Sequence, residues 1–263
     1  MLHSFNHQGL KLSYYDSGGD GPVLIFQHGL TGDHQQTRQS FRSDDYRLIT
    51  LECRGHGLSD VGNSEQLGII TFADDLLALL DHLKIERAFF AGISMGAAVT
   101  ARFTALHPER VKSLTLVRPA WSDSAAPTNL MIFSIAADFL ALYGDQQGRE
   151  RFVNSDAFKA LQLESEDNAQ SLEKLFVHPQ PHLPALLRNI VTCDPGWCAA
   201  DINNAHIRIK VIGTSLDHIH PLSMAGKVAS GLGLKGIVDI FPKTLDKEKH
   251  LSELTSEIIA NAK

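Results

Sequence analysis

The chain has 263 residues, 43% hydrophobic and 21% charged, enough to bury the core of one large α/β domain or of a domain with an insertion. Its 24 lysines and arginines against 30 aspartates and glutamates leave a net charge of −6, which argues against nucleic acid or an anionic membrane surface as a partner. A basic head followed by an apolar stretch and a small-residue cleavage site is absent from the N-terminus, and no apolar stretch is long and continuous enough to span a bilayer; with only three cysteines, the expectation is a cytoplasmic protein with free thiols.

In chain order, a hairpin is expected first, with arms from about His3 to His7 and Leu10 to Tyr15 and Gly9 near the turn. Val23 to Gln27 is a short run of the kind that forms a strand covered on both faces. A polar helix is expected after Thr31-Gly32, and a second buried strand over Arg47 to Glu52. Thr71 to Leu83 has helical spacing, with Leu76, Leu77, Leu79, Leu80 and Leu83 on the buried side. A strand over Ala88 to Ile93, a helix over Met95 to His107 stopped by Pro108, and a strand over Lys112 to Val117 follow.

The alternation then breaks. From about Trp121 to Ala200 only helical patterns occur, roughly Leu130 to Leu142, Gln147 to Leu163, Asn168 to Phe176 and Pro184 to Thr192. Alternation resumes with a strand over Ile207 to Ile212, a helix near Pro221 to Gly231, a strand over Gly236 to Phe241 and a last helix over Leu251 to Asn261. Strand–helix alternation predicts an α/β fold with a mostly parallel central sheet flanked by helices. Residues 1–120 and 201–263 would form the core, and 121–200 a helical cap over the carboxyl edge of the sheet, where open α/β folds bind ligands.

Gly92-Ile93-Ser94-Met95-Gly96 lies at the turn from a predicted strand into a predicted helix. A side chain two residues either side of the serine would collide with backbone in so tight a turn, and glycine removes the clash. The Ser94 hydroxyl is then held above the sheet, with the positive end of a helix beneath it. Downstream, Asp217 follows the apolar run Val211-Ile212-Gly213, and His250 lies near the C-terminus, in the order Ser, Asp, His.

With these motifs the chain resembles the α/β-hydrolases, in the esterase and lactonase branch that uses serine. Four places carry the resemblance: His28-Gly29-Leu30-Thr31-Gly32, Arg54-Gly55-His56-Gly57-Leu58-Ser59-Asp60, Gly92 to Gly96, and Gly213 to Pro221. Glu52 stands two places before the loop arginine where such proteins usually carry aspartate, and His250 follows Lys247-Glu248-Lys249 rather than a glycine. The resemblance implies Ser94 as nucleophile, His250 as general base and then acid, and Asp217 as the residue that orients the imidazole. His218, His220 and His206 compete with His250, and Asp123 competes with Asp217. The backbone N–H groups of Leu30 and Met95 would bind the oxyanion, with His28 structural. Arg54 is expected to tie loops together through Glu52 or Asp60. Arg118 would either pair with a protein carboxylate or recognise a substrate carboxylate. Trp121, Leu130, Met131, Ile132 and Phe133 are candidates for an acyl pocket or plain core.

The implied function is hydrolysis of an ester, thioester or lactone of a small to medium acyl compound, with no cofactor and no metal. Carbon–carbon bond hydrolysis and cofactor-free perhydrolysis use the same triad, and a ligand receptor can retain it without turnover. The elbow serine argues against relatives that use aspartate as nucleophile. The partner expected is a small ester-like molecule; the oligomeric state stays open.

Overall fold

Val23–Gln27, Arg47–Leu51 and Ala88–Ile93 carry apolar residues at successive positions because both of their faces are covered. In the computed structural model, which describes residues 1–263, they are the middle of an eight-stranded sheet. The strands are β1 (Leu2–His7), β2 (Leu10–Asp16), β3 (Val23–Gln27), β4 (Arg47–Leu51), β5 (Ala88–Ile93), β6 (Val111–Val117), β7 (Arg208–Thr214) and β8 (Val238–Ile240), in the order β1-β2-β4-β3-β5-β6-β7-β8. β1 pairs antiparallel with β2, and β2 with β4; every other pairing is parallel.

The helices are α1 (His34–Ser40), α2 (Ile69–His82), α3 (Met95–Leu106), α4 (Met131–Val153), α5 (Asp156–Glu164), α6 (Glu166–Glu173), α7 (Leu183–Thr192), α8 (Ala199–Asn203), α9 (Leu222–Gly231) and α10 (Lys247–Asn261). Phe72, Leu76, Leu79 and Leu80 of α2 and Val99 and Phe103 of α3 belong to the larger core, which continues into Leu172, Leu186 and Leu187. Phe26, Phe41, Leu254 and Ile258 form a second, smaller core.

The parallel register decides where the site lies. Gln27 pairs with Gly92, Ile93 with Val117, and Val117 with Ile212. The turns that follow β3, β5, β6 and β7 therefore leave the sheet side by side at its carboxyl edge.

Between β6 and β7 the chain contains only helices, α4 to α8. α4 is divided at Gly144, which is non-helical at φ 73°, where the sequence reading also parts two helices; the second of these ends at Val153 rather than running on to Leu163. The chain then restarts at Ser155, whose side chain accepts from the Phe158 N–H as a cap. The last helix also differs from the sequence reading. It begins at Lys247 rather than Leu251, because the Asp246 carboxylate accepts from the Lys249 N–H. That start places His250 inside the first turn of α10 instead of in a loop ahead of it.

Cys53, Cys193 and Cys198 are unpaired thiols. No helix is long and apolar enough to cross a membrane.

Candidate active site

The turn at Ser94 has the geometry that its glycines require. Ser94 sits at φ 55° and ψ −114°, a region in which a non-glycine residue is strained by about 1–3 kcal/mol. A Cβ on Gly92 would lie 2.1 Å from the Gly96 carbonyl oxygen, and one on Gly96 would lie 2.3 Å from that of Gln27. Both obstacles are backbone, so neither can swing aside. The strain is held in place by packing around α3, whose first turn is buried. The Ser94 N–H is fixed by the Val117 carbonyl at 3.0 Å.

The hydroxyl of Ser94 lies 2.8 Å from His220 Nε2. The other ring nitrogen, Nδ1, lies 2.9 and 3.0 Å from the two carboxylate oxygens of Asp217. An ionised carboxylate only accepts, so Nδ1 carries the proton and Nε2 is left to accept from the serine O–H. Asp217 also accepts from the His220 backbone N–H at 3.0 Å and pairs with Arg118 Nη1 at 3.1 Å. Burial alone would raise the Asp217 pKa. The electrostatic attraction of the His220 ring and of the Arg118 guanidinium, with the hydrogen bonds from His220, overcomes it and holds the carboxyl well below the usual carboxylate range.

The sequence reading assigned the base to His250, and here the structure differs. The ring against Ser94 is His220, from the loop after β7, and it also meets the expected acid. His250 is buried with its Nδ1 donating to the Phe241 carbonyl at 2.8 Å. Burial lowers the His250 pKa, and the neighbouring Arg118 and Lys243 lower it further. A ring whose Nδ1 proton is committed to a carbonyl cannot direct that proton at Asp217. Of the other competitors, His206 and His218 are exposed, and His218 pairs with Glu164. Asp123 is exposed on the far side of Trp121 in the chain and is hydrogen-bonded to no histidine.

Leu30 lies in the turn after β3 and lines the same cavity as Ser94. That turn is fixed at several points. The Gly29 N–H donates to Gln36 Oε1 at 2.7 Å, and the Gly32 N–H to the Gly29 carbonyl at 3.0 Å. His28 is wholly buried; its Nδ1 donates to the Gly29 carbonyl at 2.8 Å and its Nε2 accepts from the Cys53 N–H at 3.1 Å. This use of both nitrogens needs a neutral ring, and burial lowers its pKa accordingly. The Met95 N–H opens α3 and has no acceptor within its helix.

Arg54 has a partner that the sequence reading did not name. Its Nε and Nη2 both lie 2.8 Å from the carboxylate of Asp75 on α2, and both side chains are buried. Glu52 instead holds His34 at 2.7 Å and the Leu58 N–H at 2.7 Å. Asp33, His34 and Glu52 place ligand-type atoms within 4.8 Å of one another. The His34–Glu52 bond and the capping of the Gln35 N–H by Asp33 at 2.7 Å already use them. Arg118 meets a protein carboxylate, Asp217, as one of its two expected readings required.

A cavity of about 560 Å³ opens over Ser94 and His220 between the sheet edge and the helical insert. Trp121, Leu130 and Phe133 line it, as do Leu172, Leu186 and Ile219. Met131 is exposed and Ile132 packs on the core, so neither belongs to its wall. The volume lies within the range of small-molecule sites.

The chain belongs to the α/β-hydrolase fold family, whose sequence pattern matches residues 22–179. Among curated relatives it is similar to 3-oxoadipate enol-lactonase 1 of Acinetobacter baylyi, at 35% identity over 131 residues covering 46% of this chain and 48% of that enzyme. It is also similar to 3-oxoadipate enol-lactonase 2 of the same organism, at 38% identity over 121 residues covering 43% of each. The chain thus spans less than half the length of these enzymes. Solved structures with the same fold include the enol-lactonase of Burkholderia xenovorans, with TM-score 0.73 and 18% identity over 98% of this chain and 100% of that one. A thermophilic esterase from Thermogutta terrifontis superposes with TM-score 0.71 at 18% identity, over 99% of this chain and 97% of that one.

Proposed function

We propose that this protein is a serine hydrolase that cleaves a carboxylic ester, thioester or lactone of a small to medium acyl compound through an acyl-enzyme. The observation that carries the reading is the continuous line from Ser94 Oγ through the His220 ring to Asp217, with spacings of 2.8 Å and 2.9 Å. His220 Nε2 takes the serine proton as Oγ attacks the carbonyl carbon, and the resulting imidazolium gives that proton to the leaving alkoxide or thiolate. Asp217 stabilises the imidazolium and fixes its tautomer without taking the proton. The N–H groups of Leu30 and Met95 bind the oxyanion of the tetrahedral intermediate. A water then enters, gives its proton to His220 and its oxygen to the acyl carbon, and Ser94 leaves with the proton returned. The helical insert, residues 121–200, acts as the cap that shapes the acyl pocket.

The names of the two enol-lactonase relatives fit a lactone or ester substrate. A panel of short and long p-nitrophenyl esters, thioesters and lactones, assayed with wild type and Ser94→Ala, tests the reading. The expected result is turnover of at least one class by wild type and a loss of roughly 10⁴-fold or more in Ser94→Ala, since only binding and the oxyanion hole remain. Retention of a tenth of the activity by Ser94→Ala would remove Ser94 as nucleophile.

A further inference from the structure

The loop that carries Asp217 and His220 is held by the helical insert. The Ile219 N–H donates to Asn168 Oδ1 on α6 at 3.0 Å. The Ile219 carbonyl accepts from Asn129 Nδ2, just ahead of α4, at 2.7 Å, and the same amide reaches the Ala120 carbonyl at 3.2 Å. Ser165 stands at the N-cap position of α6 but makes no side-chain cap bond; its hydroxyl donates to the Leu216 carbonyl at 3.2 Å. Glu164, at the end of α5, pairs with His218. Insert residues therefore grip the loop at Leu216, at His218 and on both polar groups of Ile219.

Ile219 immediately precedes His220. Its N–H and its carbonyl belong to the two peptide planes that flank it, and the second of these leads directly into His220. Fixing both planes fixes the direction in which the imidazole leaves the backbone. Asn168 is 6% exposed, so its bond is not exchanged with bulk water. An amide suits both positions. Asn168 accepts from the Ile219 N–H and Asn129 donates to the Ile219 carbonyl, and neither adds charge beside Asp217.

We propose that Asn168 and Asn129 are positioning residues that couple the seating of the helical insert to the alignment of His220 on Ser94. This rests on the serine-hydrolase reading above. When the insert is seated the triad is in line. When it lifts, both peptide planes lose their partners and the imidazole leaves the serine. Hydrolysis is thereby confined to the closed cavity, since a misplacement of about 1 Å at a reacting group costs roughly 10²-fold.

The test measures kcat and KM for a p-nitrophenyl ester and the rate at which a fluorophosphonate probe labels Ser94. The proteins are wild type, Ser94→Ala, Asn168→Ala, Asn168→Asp and Asn129→Asp, each checked for its melting temperature. Asn168→Ala should lower kcat and the labelling rate by roughly 10- to 100-fold, with KM within about threefold. Asn168→Asp keeps an oxygen that accepts from the Ile219 N–H. It should recover most of that loss, and its added negative charge should move the acidic limb of the pH profile upward. Asn129→Asp exchanges a donor for an acceptor facing two carbonyls and should be as slow as Asn168→Ala.

Labelling of Asn168→Ala at the wild-type rate would overturn the proposal. So would an Asn168→Asp variant as slow as the alanine variant with an unmoved pH limb, which is the outcome of a merely structural role. If Asn168→Ala fails to fold, Asn168→Asp and Asn129→Asp decide the matter by the same readouts. Wild type that neither labels nor differs from Ser94→Ala would overturn the underlying hydrolase reading. Labelled wild type with unaffected asparagine variants would overturn only the coupling.

Discussion

His220→Ala set against His250→Ala is the sharpest test of the site. His220 Nε2 is 2.8 Å from Ser94 Oγ, and on the proposed mechanism its removal leaves the hydroxyl with no base to receive its proton. The expected loss in kcat/KM is at least about 10⁴-fold, equivalent to roughly 5.5 kcal/mol of transition-state stabilisation at 1.36 kcal/mol per factor of ten. The Ser94→Ala, His220→Ala double variant should be no slower than either single one, because the two residues act as a unit. His250→Ala removes a buried ring and its 2.8 Å bond to the Phe241 carbonyl. It should cost about 1–3 kcal/mol of stability and leave activity within about tenfold of wild type. The assay is hydrolysis of a p-nitrophenyl ester by purified variants, with urea unfolding run in parallel. If His250→Ala were as inactive as Ser94→Ala while His220→Ala kept more than a tenth of wild-type activity, the argument from hydrogen-bond geometry would be refuted and the base would move to α10.

Asp217→Asn should cost less than loss of Ser94 or His220 because it orients and stabilises the ring without touching substrate. Asp123→Asn, at an exposed position, should be silent in the same ester assay. Arg118→Met removes the 3.1 Å partner of Asp217, so it should lower the melting temperature and slow all substrates alike; a loss confined to acidic esters at an unchanged melting temperature would instead make Arg118 a substrate ligand. Burial lowers the His56 pKa to about 3. A group whose folded pKa lies below its unfolded value of about 6.5 contributes stability that is fully present above 6.5 and is lost as pH falls, so going from pH 7.5 to pH 5 should cost about 2 kcal/mol from His56 alone. Urea unfolding at the two pH values checks this, and His56→Gln should flatten the difference.

Much of the fold was legible because it depends on local patterns. The buried strands, the leucine-rich face of α2 and the glycines around Ser94 each announce themselves in a few consecutive residues. Gly92 and Gly96 could be argued from sterics before any coordinates, and the 2.1 and 2.3 Å approaches are that argument in atoms. The break at Gly144 was legible too, since that residue is non-helical at φ 73°; the start of α10 at Lys247, capped by Asp246, was less visible. One aspartate among lysines and glutamates carries little weight as an N-cap in the sequence alone.

The histidine that lies against Ser94 could not be picked out by order alone. Both His220 and His250 follow Asp217, so Ser, Asp, His is satisfied twice. What separates them is the shape of the turn after β7. Asp217 accepts the His220 backbone N–H at 3.0 Å, a closure across three residues that swings the following side chain back over its own carboxylate. The spacing Asp-His-Ile-His-Pro was therefore the available signal. Its meaning depends on the loop being held open toward Ser94, and the groups that hold it lie far away in sequence. Asn129 and Ser165 fall outside the expected helices and Asn168 opens one, and nothing in the sequence marks them off from ordinary solvated polar positions. Only the fold shows that their amides and hydroxyl end on the backbone of the loop that carries His220. The site is thus built from two kinds of information: local steric necessity at Ser94, and long-range polar complementarity at Ile219. A single sequence displays the first and hides the second.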